Sequence, residues 1–501
     1  MNLIPVIGLE IHVQLKTKSK MFCACRNVLG DAQPNTSICP VCMGYPGTLP
    51  VPNGQAIEWT QLAGAALSCE LAQHAKFDRK SYFYPDLPKG YQISQFDKPF
   101  CLKGEFPLVV NGKKRTIGIT RIHLEEDAAK NAHSKDGKHT LVDFNRAGTP
   151  LMEIVTEPDI GSPEEARIFL QELQRVMRTL GISDADMEKG QMRCDANISL
   201  RVASLPQGKP FDVNKLNPKT EVKNVNSFKF VEKALAYEIE RQTALWEKQE
   251  VPSHATRGWN SITGKTEAQR TKEDAADYRY FPEPDIPPFE FTQEELHARK
   301  QLLPELPWEA RKRFMQEFGV SAQQAELLIV NKDLAHFFED TCSEISQLDN
   351  EREDVVPAEE ISIAQLAANI ILQEFRLLWE GEVVAGREIK ITPENFSELV
   401  VLVKQGKLSS NAVKPMLAEM QKTGGDPDAI MQNLGLIQVS DSGELDSIVQ
   451  AVLTENPSVV ESIKAGKEAG LQFLMGQVMA KTKGQANPGV VMTILVKKVK
   501  M

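Results

Sequence analysis

Hydrophobic and polar residues alternate along several stretches of the first half of the chain, the period-two pattern of half-buried strands. In 6–15, Ile7, Leu9, Ile11, Val13 and Leu15 share one face, and Gly8, Glu10, His12 and Gln14 share the other. In 117–127, Arg121, His123, Glu125 and Asp127 fall on one side. Between 192 and 201, Met192, Cys194, Ala196, Ile198 and Leu200 oppose Arg193, Asp195, Asn197, Ser199 and Arg201. Glu221, Lys223 and Val225 form one more short face.

The period turns helical at Ser162-Pro163-Glu164-Glu165, which offers an N-cap, a proline at the first helical position and a glutamate at the third. Ala166, Phe169, Leu170, Leu173, Met177 and Leu180 then recur at helical spacing before Gly181. Segment 226–248 is a second amphipathic helix. A proline-rich stretch, 281–288, reads as a boundary, because proline at this density interrupts helix and strand alike. Beyond it, 293–400 is rich in Leu, Ala and Glu, with an acidic solvated loop around 349–360. Helix starts at Thr392-Pro393-Glu394 and Asp426-Pro427-Asp428, with stops at Gly406 and Gly435, mark a small all-α end. No solenoid period is present. The pattern predicts an α+β protein: a strand-rich domain over 1–292, a helical domain over 293–400 and an all-α tail domain over 401–501.

Composition adds little until it is read locally. The 501 residues include 58 Lys+Arg and 68 Asp+Glu, a formal charge of −10, with 42% hydrophobic and 25% charged residues. That is an ordinary globular chain, not a disordered or collagen-like one. No apolar run approaches the roughly 18 residues of a membrane span. The first residues lack a basic segment followed by an apolar one, so neither a signal nor a transit peptide is expected, and the expected location is cytoplasmic. An acidic total argues against a nucleic-acid partner. However, no acidic residue follows Glu468, while Lys481, Lys483, Lys497, Lys498 and Lys500 do. These lysines are either a solubility device or a phosphate-contacting face on a folded module.

Four of the eight cysteines lie close together: Cys23, Cys25, Cys39 and Cys42, a C-x-C pair and a C-x-x-C pair. Two such pairs supply a closed tetrahedral zinc site, structural rather than catalytic because no coordination position stays open.

Glu10 and His12, two residues apart on one strand face, project together and can share a cation. Taken alone they read first as a solvated face. The acidic run ending 121–127 and the carboxylates of 151–159, Glu153 among them, add to them. Oxygen ligands with one imidazole suit Mg²⁺ held beside phosphate. The aromatic, proline-rich segment 81–92 is either a packed loop or a binding loop in which Lys89 meets a phosphate or carboxylate. Gly264-Lys265-Thr266 is not a P-loop end, since Trp259 stands where the first glycine belongs.

From Val6 to Pro488 the chain resembles the family of B subunits of the bacterial and organellar tRNA-dependent amidotransferases. The resemblance rests on VIGLEIHVQL (6–15), FDRKSYFYPD (77–86), YQISQF (91–96), RAGTPLMEIVTEPD (146–159), MRCDANISLR (192–201), EVKNVNS (221–227), DYRYFPEPD (277–285) and KGQANP (483–488). It implies a kinase-like cradle domain carrying the zinc insert, a helical domain and a tail domain that helps hold tRNA through Lys481, Lys483, Lys497 and Lys498. It also implies that ATP phosphorylates the side-chain carboxylate of glutamate or aspartate misacylated onto tRNA(Gln) or tRNA(Asn), and that ammonia then displaces the phosphate. Mg²⁺ at Glu10, His12, Glu125 and Glu153 fits that chemistry. Lys89, Arg193 and Lys223 are then the expected ATP contacts, and Asp195 serves the metal or orients ammonia. No Gly-Gly-Ser-Ser amidase signature or Cys–His glutaminase pattern occurs here. The expected partners are therefore an amidase (A) subunit, a small C subunit, the tRNA and the misacylating synthetase. Without the resemblance, a zinc-containing RNA-binding scaffold and a stand-alone ATP-dependent ligase remain as readings.

Overall fold

The apolar faces read from the sequence become the interior of one large sheet. In the computed structural model, Ile7, Leu9, Ile11 and Val13 of strand Leu3–Gln14 are all buried. Residues 3–30, 32–134, 136–202, 216–270, 278–350, 357–437, 442–464, 469–482, 486 and 488–500 are described. The chain is mixed α+β and divides into two units, Met1–Pro307 and Trp308–Met501.

The first unit is built on a nine-stranded sheet, described here from its centre outward. Strand Leu3–Gln14 lies between Pro150–Thr156 and Met192–Val202, antiparallel to both. Past Pro150–Thr156 come Lys113–Glu126, Cys101–Val110 and Glu70–Leu71. On the other side come Thr220–Lys223, Ala255–Asn260 and Lys265–Arg270. All neighbours run antiparallel except Thr220–Lys223 with Ala255–Asn260. A parallel pair needs a crossover, and helix Phe228–Glu247 provides it.

Helices Pro163–Thr179 and Phe228–Glu247 pack against each other and onto the apolar face, burying Phe169, Leu170, Leu173, Val231 and Leu235. Ser162 caps the first, accepting from the Glu165 N–H at 3.1 Å. The Glu165 side chain closes the turn by accepting from the Gly161 N–H at 2.7 Å, one residue earlier than a standard capping box. Helix Gly54–Ala66, which the pattern did not suggest, adds cover near strands Cys101–Val110 and Lys113–Glu126.

The proline-rich stretch is held inside this unit. Phe281–Pro282 is the edge strand of a three-stranded sheet with Asp78–Ser81 and Tyr91–Ser94, where a missing N–H costs no ladder bond. Phe289–Glu290 pairs with His74–Ala75, and Arg299 of helix Gln293–Gln301 reaches Glu58 at 2.7 Å. The division at Pro307 therefore falls one helix later than the boundary expected at 292/293.

The second unit is helical and holds two cores. One runs from Phe314 to Met431 and includes Phe338, Phe375, Phe396 and Met416. The other runs from Leu445 to Leu495. The boundary expected at 400/401 falls within helix Pro393–Lys404, whose Phe396, Leu399, Val400 and Leu402 all enter the first core. Residues 351–356 of the expected acidic loop lie outside the described residues. Among the described residues no helix is long and apolar enough to cross a membrane.

Glu238 is a charged group buried in the sheet's helical cover. Its side chain is fully buried and accepts from Arg241 Nη2 at 2.7 Å, from Arg257 Nε at 3.2 Å and from the Thr266 hydroxyl. Helix Phe228–Glu247 is thereby bolted to strand Ala255–Asn260 and to the edge strand Lys265–Arg270. Glu238→Ala would leave two guanidinium groups without a counter-ion and is expected to destabilise the unit by about 3–5 kcal/mol. Urea unfolding followed by circular dichroism measures it; a loss under about 1 kcal/mol, the range of an exposed pair, would contradict this account.

Candidate active site and metal centres

Because strand side chains alternate, the face opposite the helices carries the polar residues, and register decides which of them meet. His12 stands opposite both Arg193 and Glu153, and Glu153 stands opposite His123. One row thus crosses four neighbouring strands as Arg193, His12, Glu153 and His123. Glu10 lies two residues along, opposite Asp195.

The imidazoles converge on one carboxylate. His12 Nε2 is 3.2 Å and His123 Nε2 3.3 Å from Glu153 Oε2. Glu125 lies 3.8 Å from His12 and 3.7 Å from His123, and accepts from the Ser94 hydroxyl at 2.9 Å. Glu10 completes the group 4.0 Å from His12. The ligand atoms of Glu10, His12 and Glu153 lie within 4.8 Å of one another, as do those of His123, Glu125 and Glu153. Glu125, Glu153 and His123 are buried, while Glu10 is 36% exposed, so the cluster opens at the Glu10 end.

Three carboxylates this close would not stay ionised unaided. Burial opposes the charge on Glu153, yet the His123 charge and hydrogen bonds from both imidazoles hold it well below the usual carboxylate range. Burial likewise opposes the charge on His123, but Glu153 and Glu125 raise it to about 9. His12 is raised in the same way by Glu153, Glu125 and Glu10. Glu10 is raised, first by burial and then by Glu153. The His123 imidazolium, 3.3 Å from Glu153, supplies positive charge where a hard cation would bind, and the donor set of carboxylates and imidazoles fits such a cation.

The cations expected to meet phosphate are each matched by a carboxylate. Lys89 pairs with Glu126. Arg193 Nη2 is 2.8 Å from Asp127 Oδ2, which also accepts from Gln14 at 2.8 Å. Lys223 Nζ is 2.8 Å from Asp195 and 3.1 Å from Glu221. Lys89 lies apart from the histidine cluster. It lines a cavity of about 240 Å³ with Cys23, Cys42, Arg79 and Glu126.

The four clustered thiols come together as expected: the sulfurs of Cys23, Cys25, Cys39 and Cys42 lie within 4.8 Å of one another, and none is in a disulfide. A hydrogen bond from Cys23, outweighing burial, lowers Cys42 to about 5 with help from the Cys39 N–H and Lys20. Cys23 is pushed up by sharing that proton. Lys20, fully buried, holds its ammonium 3.8 Å from Cys42 Sγ and 3.2 Å from the Phe144 carbonyl. Gly148 (φ 84°) passes between Lys20 and Cys42, where a Cβ would sit 3.4 Å from Lys20 Cδ. Four thiolates around one Zn²⁺ carry net negative charge, which a buried ammonium beside them would offset.

In the second unit Lys481 reaches Glu455 at 2.5 Å and Lys498 reaches Asp446 at 2.7 Å. Lys497 is exposed, and Lys483 lies outside the described residues. His123 and Asp127 were not picked from the sequence as site residues. The signal was present, since both share the face of Glu125, but their partners depend on register.

A family model described as the GatB/GatE catalytic domain matches residues 5–297, and one described as the GatB domain matches residues 355–499. A protein of Persephonella marina, named as the B subunit of an aspartyl/glutamyl-tRNA(Asn/Gln) amidotransferase, is 47% identical over 491 residues, 98% of each chain. The Geobacillus kaustophilus protein of the same name is 45% identical over 499 residues, covering 100% of this chain and 99% of its own.

A divalent cation entering the histidine cluster must displace protons. Because His123 keeps its proton up to about pH 9, affinity is expected to rise with pH by about tenfold per unit for each proton released, and to level off above that point. Calorimetry in buffers of different ionisation enthalpy reads both affinity and protons; binding without pH dependence would refute this.

Proposed function

The chain belongs to the GatB family, and we propose that it is the phosphorylating and amidating subunit of a tRNA-dependent amidotransferase. The observation that carries this is the buried cluster of His12, His123, Glu125 and Glu153 opening at Glu10. The sheet with its polar face serves as the cradle, and glutamate or aspartate misacylated onto tRNA(Gln) or tRNA(Asn) is the acceptor.

A carboxylate resists ammonia because its oxygen is a poor leaving group. The side-chain carboxylate oxygen of the aminoacyl-tRNA attacks the γ-phosphorus of ATP; the new P–O bond forms as the bond to ADP breaks. Ammonia then adds its lone pair to the acyl carbon, phosphate leaves, and a proton lost from nitrogen gives the amide. Glu10, His12, Glu125 and Glu153 would hold Mg²⁺, joined by His123. Bound there, Mg²⁺ would screen charge on the phosphates. The burial of Glu125 and Glu153 keeps water from that end of the cluster, where it would otherwise hydrolyse the acyl phosphate. Arg193 and Lys223, tethered to Asp127 and Asp195, position those carboxylates. Asp195, which lies opposite Glu10, would orient ammonia.

The four cysteines would hold a structural Zn²⁺. Ammonia comes from a partner amidase subunit, a small third subunit completes the assembly, and the misacylating synthetase delivers the tRNA. Lys497, and Lys481 and Lys498 once their acidic partners yield, would offer the tail's phosphate contacts, and Lys483 remains a fourth candidate from the sequence. The assembly works in the cytoplasm.

With saturating ammonia in place of glutamine, His12→Ala in the assembled enzyme is expected to lower tRNA amidation by about a hundredfold or more. Full activity would overturn the assignment. Purified protein is expected to carry one zinc per chain by atomic absorption and to lose it on Cys42→Ser; equal metal in both would overturn the zinc reading.

A further inference from the structure

Among the described residues, Lys80 is a cation of this site that no carboxylate has claimed. It lies on strand Asp78–Ser81, and its side chain takes the opposite side of the strand from Arg79, which pairs with Glu283 and Asp285. The Lys80 ammonium sits 4.9 Å from the centre of the Tyr278 ring and 6.0 Å from that of Tyr82. These two rings meet edge to face at 6.0 Å, and Tyr278 meets Tyr280 at 6.1 Å. Phe96 backs Tyr280, stacked at 4.4 Å. The carboxylates whose fields Lys80 feels are Glu125 and Glu153, yet it makes no ion pair with either among the described residues.

Aromatic faces hold an ammonium by the ring quadrupole and leave its N–H donors unused. Lys89, Arg193 and Lys223 are each paired with a carboxylate; among the described residues Lys80 is not. The charge count points the same way. Three carboxylates with one divalent cation leave one negative charge facing a polyphosphate, and Lys80, without pairing with it, offsets its repulsion.

We propose that Lys80, held over the rings of Tyr278 and Tyr82 beside Glu125 and Glu153, binds an oxygen of the phosphoryl group in transfer. The assignment rests on the phosphoryl-transfer reading of the site. It makes Lys80 a catalytic residue, gripping the group as P–O bonds to ADP and to the substrate carboxylate exchange. The rings fix the ammonium before ATP arrives, so little reorganisation is needed at the transition state.

The test uses the complete assembly and follows label from γ-³²P ATP onto Glu-tRNA(Gln) without an ammonia donor. Lys80→Met keeps the stem packed against the rings and removes only the charge. It is expected to lower kcat for phosphoryl transfer by about a hundredfold to a thousandfold, with tRNA affinity and melting temperature unchanged. Lys80→Arg is expected to recover at least about a tenth of wild-type kcat. Transfer by Lys80→Met within about threefold of wild type overturns the assignment. So does a loss confined to KM for the aminoacyl-tRNA, which would put Lys80 on the substrate carboxylate. A loss that tracks a lower melting temperature and is not relieved by Lys80→Arg also overturns it, as a structural role. Wild-type protein that transfers no label overturns the phosphoryl-transfer reading itself, a result separable from the others.

Discussion

The register of strand Leu3–Gln14 between its two antiparallel neighbours is the constraint on which the site depends. It sets His12 against Glu153 on one side and Arg193 on the other. A slip of one residue would turn every side chain of the strand to the opposite face. Ile7, Leu9, Ile11 and Val13 would lose their cover, and Glu10 and His12 would be driven under the helices. Burial of four aliphatic side chains, roughly 1.5–3 kcal/mol each, thus holds the alignment that the chemistry needs. The helix side of the sheet carries the stability and the other side carries the charge.

That charge is tolerable because it is compensated locally. Glu153 is buried, and two imidazoles meet it on the same oxygen. Asp127 is buried and met by Arg193, Arg146 and Gln14. The flanking pairs do more than neutralise. A carboxylate held by a fixed guanidinium or ammonium cannot swing into the cluster and compete for its cation, so Asp127 and Asp195 are kept at its border. The cysteine cluster uses the same device in reverse, with a buried ammonium, Lys20, set against the Cys42 sulfur.

How far the sequence exposes this follows from distance along the chain. Alternation is local, so the faces bearing Glu10, His12, Glu125, Arg193 and Asp195 are all readable from the order of residues alone. The cysteine quartet is readable for the same reason, its spacing being short. Pairing across strands is not local. Nothing near His123 in sequence shows that Glu153 lies opposite it, and nothing near Lys89 shows that Glu126 consumes its charge. Lys20 reads as a surface lysine, yet its side chain is fully buried. The proline-rich stretch misleads in the same way, because proline is as compatible with an edge strand as with a linker, and only the partner strand Asp78–Ser81 decides between them.

The same reasoning explains why the site's binding groups divide between two layers. The large sheet supplies the carboxylates and imidazoles, whose spacing is fixed by ladder hydrogen bonds on neighbouring strands. The small sheet of Asp78–Ser81, Tyr91–Ser94 and Phe281–Pro282 supplies Ser94 to Glu125 and carries Lys80 in its aromatic setting. Placing that cation on the large sheet would have put it in the ladder beside Glu153 or Glu125, where it would have collapsed into an ion pair as Lys223 does with Asp195. Carried on a second layer and held by rings, it stays near the anionic cluster without being neutralised by it. A catalyst for phosphoryl transfer needs that arrangement, because only an unspent positive charge can strengthen its contacts as charge develops on the group in transfer.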